Sequence, residues 1–357
     1  MKASKMLNLL PGPVNVSGRV QRALGGQLYS HRQVEFSRDF ISLKRDLSKL
    51  AGTRYCQITT GSGTLANDII AQQLTLLPGM GMILINGEFG NRLYEMAWSA
   101  GLHVVAVNSN WGESFDMDQL EEALAHNPEI SWVWFCHCET STGMLNPYEK
   151  ISRWAQENDL LVCVDAMSTL GNVPVNYSDA FLVSGTSGKG LGSAAGLSLI
   201  FHNKIFLPKP GQLPVYLDLG HYFVQGGTAF TVPSNLVYGL KEALSRIQDG
   251  HFSNLRAVSG KVSRWLDEMD LDTLVRPESN NPSVLTIPVA DEYSSSEIGD
   301  HLYQKGIAVS YQSEYLKKMN WIQVCLMGEL GAPFKRRLRL RMRKFHQWDP
   351  RQERLVG

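Results

Sequence analysis

Three short stretches carry residues whose types and spacing could do chemistry. Lys189 sits in Ser184-Gly-Thr-Ser-Gly-Lys-Gly-Leu-Gly, a Gly-rich loop flanked by apolar runs. A lysine in buried surroundings is costly unless it is paired, neutralised or used covalently. An amine that captures a carbonyl must be unprotonated, which desolvation or nearby positive charge favours. Taken alone, Lys189 reads more simply as a surface-loop lysine. Asp165 closes the apolar run Leu160-Leu-Val-Cys-Val-Asp, 24 residues before that lysine. A carboxylate at the end of a buried strand needs donors or a cation around it. Its plain alternative is a cap for the next segment. Gly61-Ser-Gly-Thr-Leu-Ala-Asn opens a helix-period segment directly after a strand-like run. Free N–H groups at such a helix start suit a phosphate, although the same residues also make an ordinary turn. No Gly-Lys-Ser/Thr follows and the spacing is not GxGxxG, so neither nucleotide-binding fingerprint applies.

One group asks for all three features together. Pyridoxal 5'-phosphate needs a phosphate cradle, an amine to bond its aldehyde, and a carboxylate to keep its ring nitrogen protonated so that the ring acts as an electron sink.

The elements that must position these residues are legible in outline. Apolar runs at 82–86, 103–108, 132–138, 160–166, 180–185 and 196–202 lack polar alternation, as strands buried on both faces do. Helical spacing predicts helices over 63–74, 146–158 and 235–248. Alternating strand and helix predicts an α/β fold with a mostly parallel sheet covered by helices. In such sheets ligands sit beyond the carboxyl ends of the strands. Polar or Gly-rich loops follow a further strand candidate, 55–60, and four of these runs: GSGT, NGEFGN, HCETSTG, DAMSTLG and SGTSGKGLG. The expected organisation is an N-terminal arm over 1–20, a large cofactor-binding domain over 21–249, and a small C-terminal α+β domain over 250–357 with strands near 283–288 and 306–311.

Composition narrows the partners. Lys+Arg and Asp+Glu are 34 each and AVILMFWYC make up 43% of 357 residues, an ordinary soluble-enzyme balance that gives no reason to expect nucleic acid or an anionic membrane. No apolar run reaches the ~20 residues of a membrane span, and the first residues do not read as a signal peptide, so a cytoplasmic protein is expected. The five cysteines include no CxxC pair and read as buried reduced thiols, with no metal site. From residue 335 to 357 there are nine Lys or Arg against two acids, and the period-two alternation of 335–344 predicts an extended, solvated tail.

In this order the motifs resemble those of the class V aminotransferases, a family of fold-type-I pyridoxal-phosphate enzymes. The resemblance runs from about residue 9 to residue 329. It includes Leu10-Pro-Gly-Pro-Val, His31-Arg-Gln-Val-Glu-Phe, Gly61-Ser-Gly-Thr, Val164-Asp-Ala-Met-Ser-Thr-Leu-Gly and the lysine loop. His137-Cys-Glu-Thr-Ser-Thr-Gly-Met-Leu-Asn-Pro is closest to the branch of 2-aminoethylphosphonate–pyruvate and alanine– or serine–glyoxylate transaminases.

The resemblance implies that Lys189 bonds the cofactor as a Schiff base and then moves the substrate's α-proton, while Asp165 holds the ring-nitrogen proton. It implies that Ser62, Gly63 and Thr64 bind the phosphate, that Phe89 stacks on the ring and that Thr140 sets a hydroxyl near it. Thr231 would reach the phosphate of a neighbouring subunit, making a homodimer with shared sites. Gly12 and Arg32 are implied at the substrate, Arg32 with a structural ion pair as its alternative. Two positions depart from the family pattern. Gly188 stands where Gln or Asn often helps hold the phosphate, leaving Ser187 or a backbone N–H to compensate. Gln323 stands where an Arg clamps the substrate's acidic group; an uncharged amide binds an anion less strongly. The activity implied is transfer of an amino group from a small amine or amino acid to a keto acid or aldehyde. The alternative is a lyase, decarboxylase or condensing reaction on the same scaffold.

Overall fold

The computed structural model describes residues 6–345. Seven strands form one sheet: β1 (Tyr55–Gly61), β2 (Met80–Ile85), β3 (Val104–Asn108), β4 (Ile130–Cys136), β5 (Leu161–Asp165), β6 (Leu182–Thr186) and β7 (Gly196–His202). Their spatial order is β1-β7-β6-β5-β4-β2-β3. Only β7 runs antiparallel to its neighbours; every other adjacent pair is parallel.

The central strands carry continuous apolar runs because both sheet faces are covered. In β4, Val133 and Phe135 enter one core with the helices Val34–Ala51, Tyr148–Glu157 and Ser234–Leu244. Trp132, Trp134 and Cys136, pointing the other way, enter a second core with Gly63–Leu74 and Glu88–Ser99. The sheet thus holds one edge rigid from both sides, and the five polar loops read from the sequence leave the carboxyl ends of β1, β2, β4, β5 and β6 along that edge.

A third core belongs to the C-terminal region. The strands Val284–Pro288 and Trp321–Cys325 pair antiparallel, beside the helices His251–Asp267, Ser295–Gln304 and Ala332–Phe345. The strand expected over 306–311 contracts to Ile307–Ala308, paired in parallel with Leu7–Asn8. Leu7 and Leu9, expected in an N-terminal arm, are buried in this same core beside the C-terminal strands and helices.

The expectation of an extended stretch over 335–344 is corrected by the helix Ala332–Phe345. Leu338 is 3% exposed and Leu340 56%. Leu338 lies one helical turn from buried Phe334, and burial of that pair, about 2 kcal/mol per side chain, outweighs the apparent alternation. The rest of the basic tail lies outside the described residues.

Candidate active site

Asp165 ends β5 with its carboxylate buried. Oδ2 accepts from Asn67 Nδ2 at 2.8 Å and Oδ1 from the Met167 N–H at 2.9 Å. Burial pushes its pKa up, while the Asn67 donor and the charge of Lys189 pull the other way. A buried carboxylate with one donor on each oxygen keeps acceptor capacity for a cationic N–H.

Lys189 lies in the loop after β6, half-buried, with Nζ donating to Ser168 Oγ at 3.1 Å and standing 5.2 Å from the centre of the Phe89 ring. The loop is held by close backbone packing. A Cβ on Gly188 would fall 2.8 Å from both Cα and Cβ of Ala195, so this site has no room for the amide side chain the family pattern suggests. Gly171, at φ +79°, lets the loop after Asp165 pack closely on the lysine loop, since a Cβ there would fall 2.7 Å from the Gly190 backbone. Gly12, from the N-terminal segment, packs against the lysine loop: a Cβ added there would lie 3.6 Å from the Gly188 carbonyl oxygen.

The helix Gly63–Leu74 begins where β1 ends. Ser62 occupies its N-cap without bonding a helix N–H through its side chain, and Ser62 and Thr64 are exposed. The Ser62 carbonyl accepts from Ser198 Oγ at 2.5 Å, which ties the turn to β7. A Cβ on Gly63 would meet Met167 Sδ at 2.5 Å, so this helix start fits closely against the loop after Asp165. Asn67, one turn further along the same helix, supplies the donor to Asp165.

Phe89 is set by the start of Glu88–Ser99. Glu139, fully buried, accepts from the N–H groups of Phe89 (3.3 Å), Gly90 (2.9 Å) and Ser141 (3.0 Å), and from Ser141 Oγ (2.5 Å). A carboxylate facing helix N–H groups satisfies donors that no carbonyl can reach and complements the helix dipole. Burial pushes its pKa up and those donors oppose the shift. Beside it, Thr140 Oγ1 lies 2.5 Å from Ser168 Oγ. His137 is also buried, 2.6 Å from the Tyr177 hydroxyl through Nδ1, and burial pushes its pKa down to about 3. It is therefore a neutral packing group at neutral pH.

Gln323 does come to this region, on Trp321–Cys325. Its Nε2 donates to the carbonyls of Thr140 (2.7 Å) and Ser141 (2.9 Å) and to Thr286 Oγ1 (2.8 Å), and its Oε1 accepts from the Tyr315 hydroxyl at 3.2 Å. It is fully buried. Ser187 turns into its own loop: Oγ donates to the Ala194 carbonyl at 2.6 Å and accepts from the Leu197 N–H at 3.2 Å. Arg32 and Thr231 are exposed, on segments that meet through Thr228 Oγ1 and the His31 carbonyl at 3.3 Å. Within the chain they are not drawn into the cluster around Lys189.

The structure therefore brings Lys189, Asp165, Phe89, Thr140 and Gln323 together, with Gly12 against the lysine loop. Reading the sequence missed Asn67, Ser168 and Glu139. Each lies inside a quoted motif; only Glu139 directly follows an apolar run, 132–138, while Asn67 and Ser168 carry no such local signal. Among the described residues no group of His, Cys, Asp and Glu could hold a metal ion.

The site suits pyridoxal phosphate. A carboxylate with spare acceptor capacity, an amine beside an aromatic ring, and a helix start with an unused cap side chain supply the three contacts that group requires.

Comparison with known proteins agrees. The sequence pattern of the family described as aminotransferase class-V matches residues 19–314. The 2-aminoethylphosphonate–pyruvate transaminase of Pseudomonas aeruginosa is 26% identical over 347 residues, covering 90% of each chain. A bifunctional phosphonoacetaldehyde hydrolase/aminoethylphosphonate transaminase of Clostridioides difficile is 25% identical over 91% of this chain, which spans only 54% of that longer relative. The crystal structure of an alanine–glyoxylate aminotransferase from Nostoc sp. superposes with a TM-score of 0.83 at 25% identity, over 92% of this chain and 91% of that one. The fold is that of the fold-type-I aminotransferases, and the chain belongs to the class V aminotransferase family.

Proposed function

We propose that this aminotransferase uses pyridoxal phosphate held by Lys189 to move an amino group from a small amine or amino acid to a keto acid or aldehyde such as pyruvate or glyoxylate. The observation that carries the reading is the meeting of one amine, one buried carboxylate and one aromatic ring at the ends of β5, β6 and the Glu88–Ser99 helix. The names of the Pseudomonas and Nostoc relatives support small 2-oxo acids as acceptors.

When bound, the cofactor supplies an aldehyde for amine capture and a ring that takes up an electron pair. The chain supplies the rest. Asp165 accepts an N–H at its unfilled lone pairs and holds that proton in place. The N–H groups at the start of Gly63–Leu74, with the Ser62 and Thr64 hydroxyls, bind the phosphate. Phe89 offers a flat apolar face, and Thr140 presents a hydroxyl beside it. Lys189 Nζ takes the proton from the substrate carbon and returns it. Gly12, packed on the lysine loop, borders the space left for substrate.

We read the active form as a homodimer. The segments bearing Arg32 and Thr231 leave Leu28, Val34, Ile41, Val215 and Val224 exposed, more apolar surface than a lone chain needs. Thr231 would then serve the partner's phosphate and Arg32 the shared entrance. A cytoplasmic setting fits the five unpaired, buried cysteines; among the described residues no helix is long and apolar enough to cross a membrane.

The test is direct. Protein supplied with pyridoxal phosphate should show a near-visible absorbance band that borohydride fixes onto Lys189, located by peptide mass spectrometry. The band should be absent in Lys189→Ala. A Lys189→Ala protein that keeps the band refutes the assignment. With an amine donor and no acceptor, the wild-type band should give way to that of the aminated cofactor; turnover without that change would favour a lyase or condensing reaction.

A further inference from the structure

Lys189 is not held by its own loop alone. The hydroxyl that accepts from its Nζ, Ser168 Oγ, is itself 2.5 Å from Thr140 Oγ1. The Ser168 carbonyl accepts from Asn172 Nδ2 at 3.0 Å and from Asn281 Nδ2 at 2.9 Å. The Thr140 carbonyl accepts from Gln323 Nε2 at 2.7 Å. Gln323 and Asn281 both come from the chain that forms the small domain, while Thr140 and Ser168 sit on loops of the large sheet. Two amides thus reach across from one region and hold the backbone carbonyls of the two residues in the other whose hydroxyls meet, one of which accepts from the lysine. Gln323 makes no use of charge in this arrangement, and its donors and acceptor are spent within the protein.

We propose that Ser168 is a further catalytic residue, whose oxygen accepts an N–H from Lys189 and so aims the amine's lone pair, and that Gln323 is the positioning residue that fixes this hydroxyl from the small domain through Thr140. An amine on a four-carbon stem turns freely about Cε–Nζ. One accepted N–H closes one of the three staggered positions about Cε–Nζ to the lone pair and confines it to the two that face away from Ser168, which is an orientation effect on rate rather than on binding. The short Thr140 contact keeps the Ser168 oxygen from turning away. The inference rests on reading Lys189 as the covalent carrier, but it can fail separately.

The experiment compares Ser168→Ala, Ser168→Thr, Gln323→Met and the Ala/Met double variant, all as full chains. The first readout is the rate at which cofactor-free protein captures the aldehyde of added pyridoxal phosphate, followed by the rise of the near-visible band. The second is kcat against KM. Ser168→Ala should slow capture and lower kcat by about tenfold each with KM within about twofold, and Ser168→Thr should restore most of both. Gln323→Met should act in the same direction by about threefold, and the double variant should be no slower than Ser168→Ala, because both act on one oxygen. Capture and kcat at wild-type values in Ser168→Ala overturn the proposal, and so does a Ser168→Thr variant as slow as Ser168→Ala. A Gln323→Met effect that multiplies in full onto Ser168→Ala overturns its positioning part. Should Gln323→Met fail to fold, the Ser168 pair still decides the catalytic part, and Gln323→Glu, which turns an oxygen toward the Thr140 carbonyl, decides the other: capture at the wild-type rate there overturns it. If the wild type itself captures nothing at Lys189, the proposed function fails instead.

Discussion

Asp165 and Glu139 are buried carboxylates that follow neighbouring strands of one sheet, and burial pushes the pKa of both upward. They differ in what surrounds them. Glu139 meets four protein donors, three of them backbone N–H groups, and two of those open the helix that carries Phe89. Asp165 meets two donors, one per oxygen, and shares its pocket with the Lys189 amine. One carboxylate is saturated by the fold and the other is left with capacity to spare. Burial and a shifted pKa alone do not separate a structural acid from a catalytic one; the count of unfilled lone pairs does.

The largest effect that would sharpen this contrast is at Asp165. Asp165→Asn should lower kcat by about a thousandfold, since a neutral amide no longer holds a proton at the cofactor ring. Its thermal midpoint should stay level or rise, because removing a buried charge relieves desolvation. Glu139→Gln should show the opposite pattern: a loss of about 2–3 kcal/mol in unfolding free energy, from donors left badly paired at the helix start, and a fall in kcat of less than about tenfold. Denaturant melts and steady-state rates on the two variants suffice. A Glu139→Gln protein with full stability, or an Asp165→Asn protein with near-normal turnover, breaks the distinction.

Which of these acids was legible beforehand follows the same line. Asp165 and Lys189 stand out in the sequence because each interrupts apolar or Gly-rich surroundings. The strand Gly196–His202 is legible as an apolar run, and the helix Gly63–Leu74 because a local period decides it. The role of Glu139 is hidden although its position after an apolar run is not, since two of its four donors come from residues 89 and 90, brought near only when β2 and β4 pair. Gln323 is hidden more deeply. Its bonds to residues 140 and 141 span 183 and 182 positions of chain, so a substitution pattern can mark the site but cannot tell a side chain facing substrate from one spent on backbone. Ser187 misleads for the converse reason: proximity to the lysine in sequence does not say which way a hydroxyl turns. In the Ala332–Phe345 helix the alternating leucines mislead because contact with the small-domain core, absent from any local window, selects the helical partner of Phe334.

The smallest effect tests whether Asp165 truly works with spare capacity. Asn67 donates to Asp165 Oδ2 while its own Oδ1 is buried without a partner, so its place is set for the carboxylate rather than for its own satisfaction. The donor favours the charged acid and holds its pKa below where burial alone would put it. Asn67→Ala removes that pull, so the pKa of Asp165 rises further. Because the charged form is the working one, the acid limb of kcat/KM should move to higher pH, by somewhat under one unit for the loss of about 1 kcal/mol. The sign for stability runs the same way: a raised carboxylate pKa in the folded state means stability is lost as pH rises through it, so Asn67→Ala should be weakened more above the folded-state pKa of Asp165 than below it. Rates measured across the acid limb, together with melts on either side of it, read out both effects. A limb that moves to lower pH would mean that Asp165 acts as its protonated form, and that its open lone pairs have been assigned the wrong task.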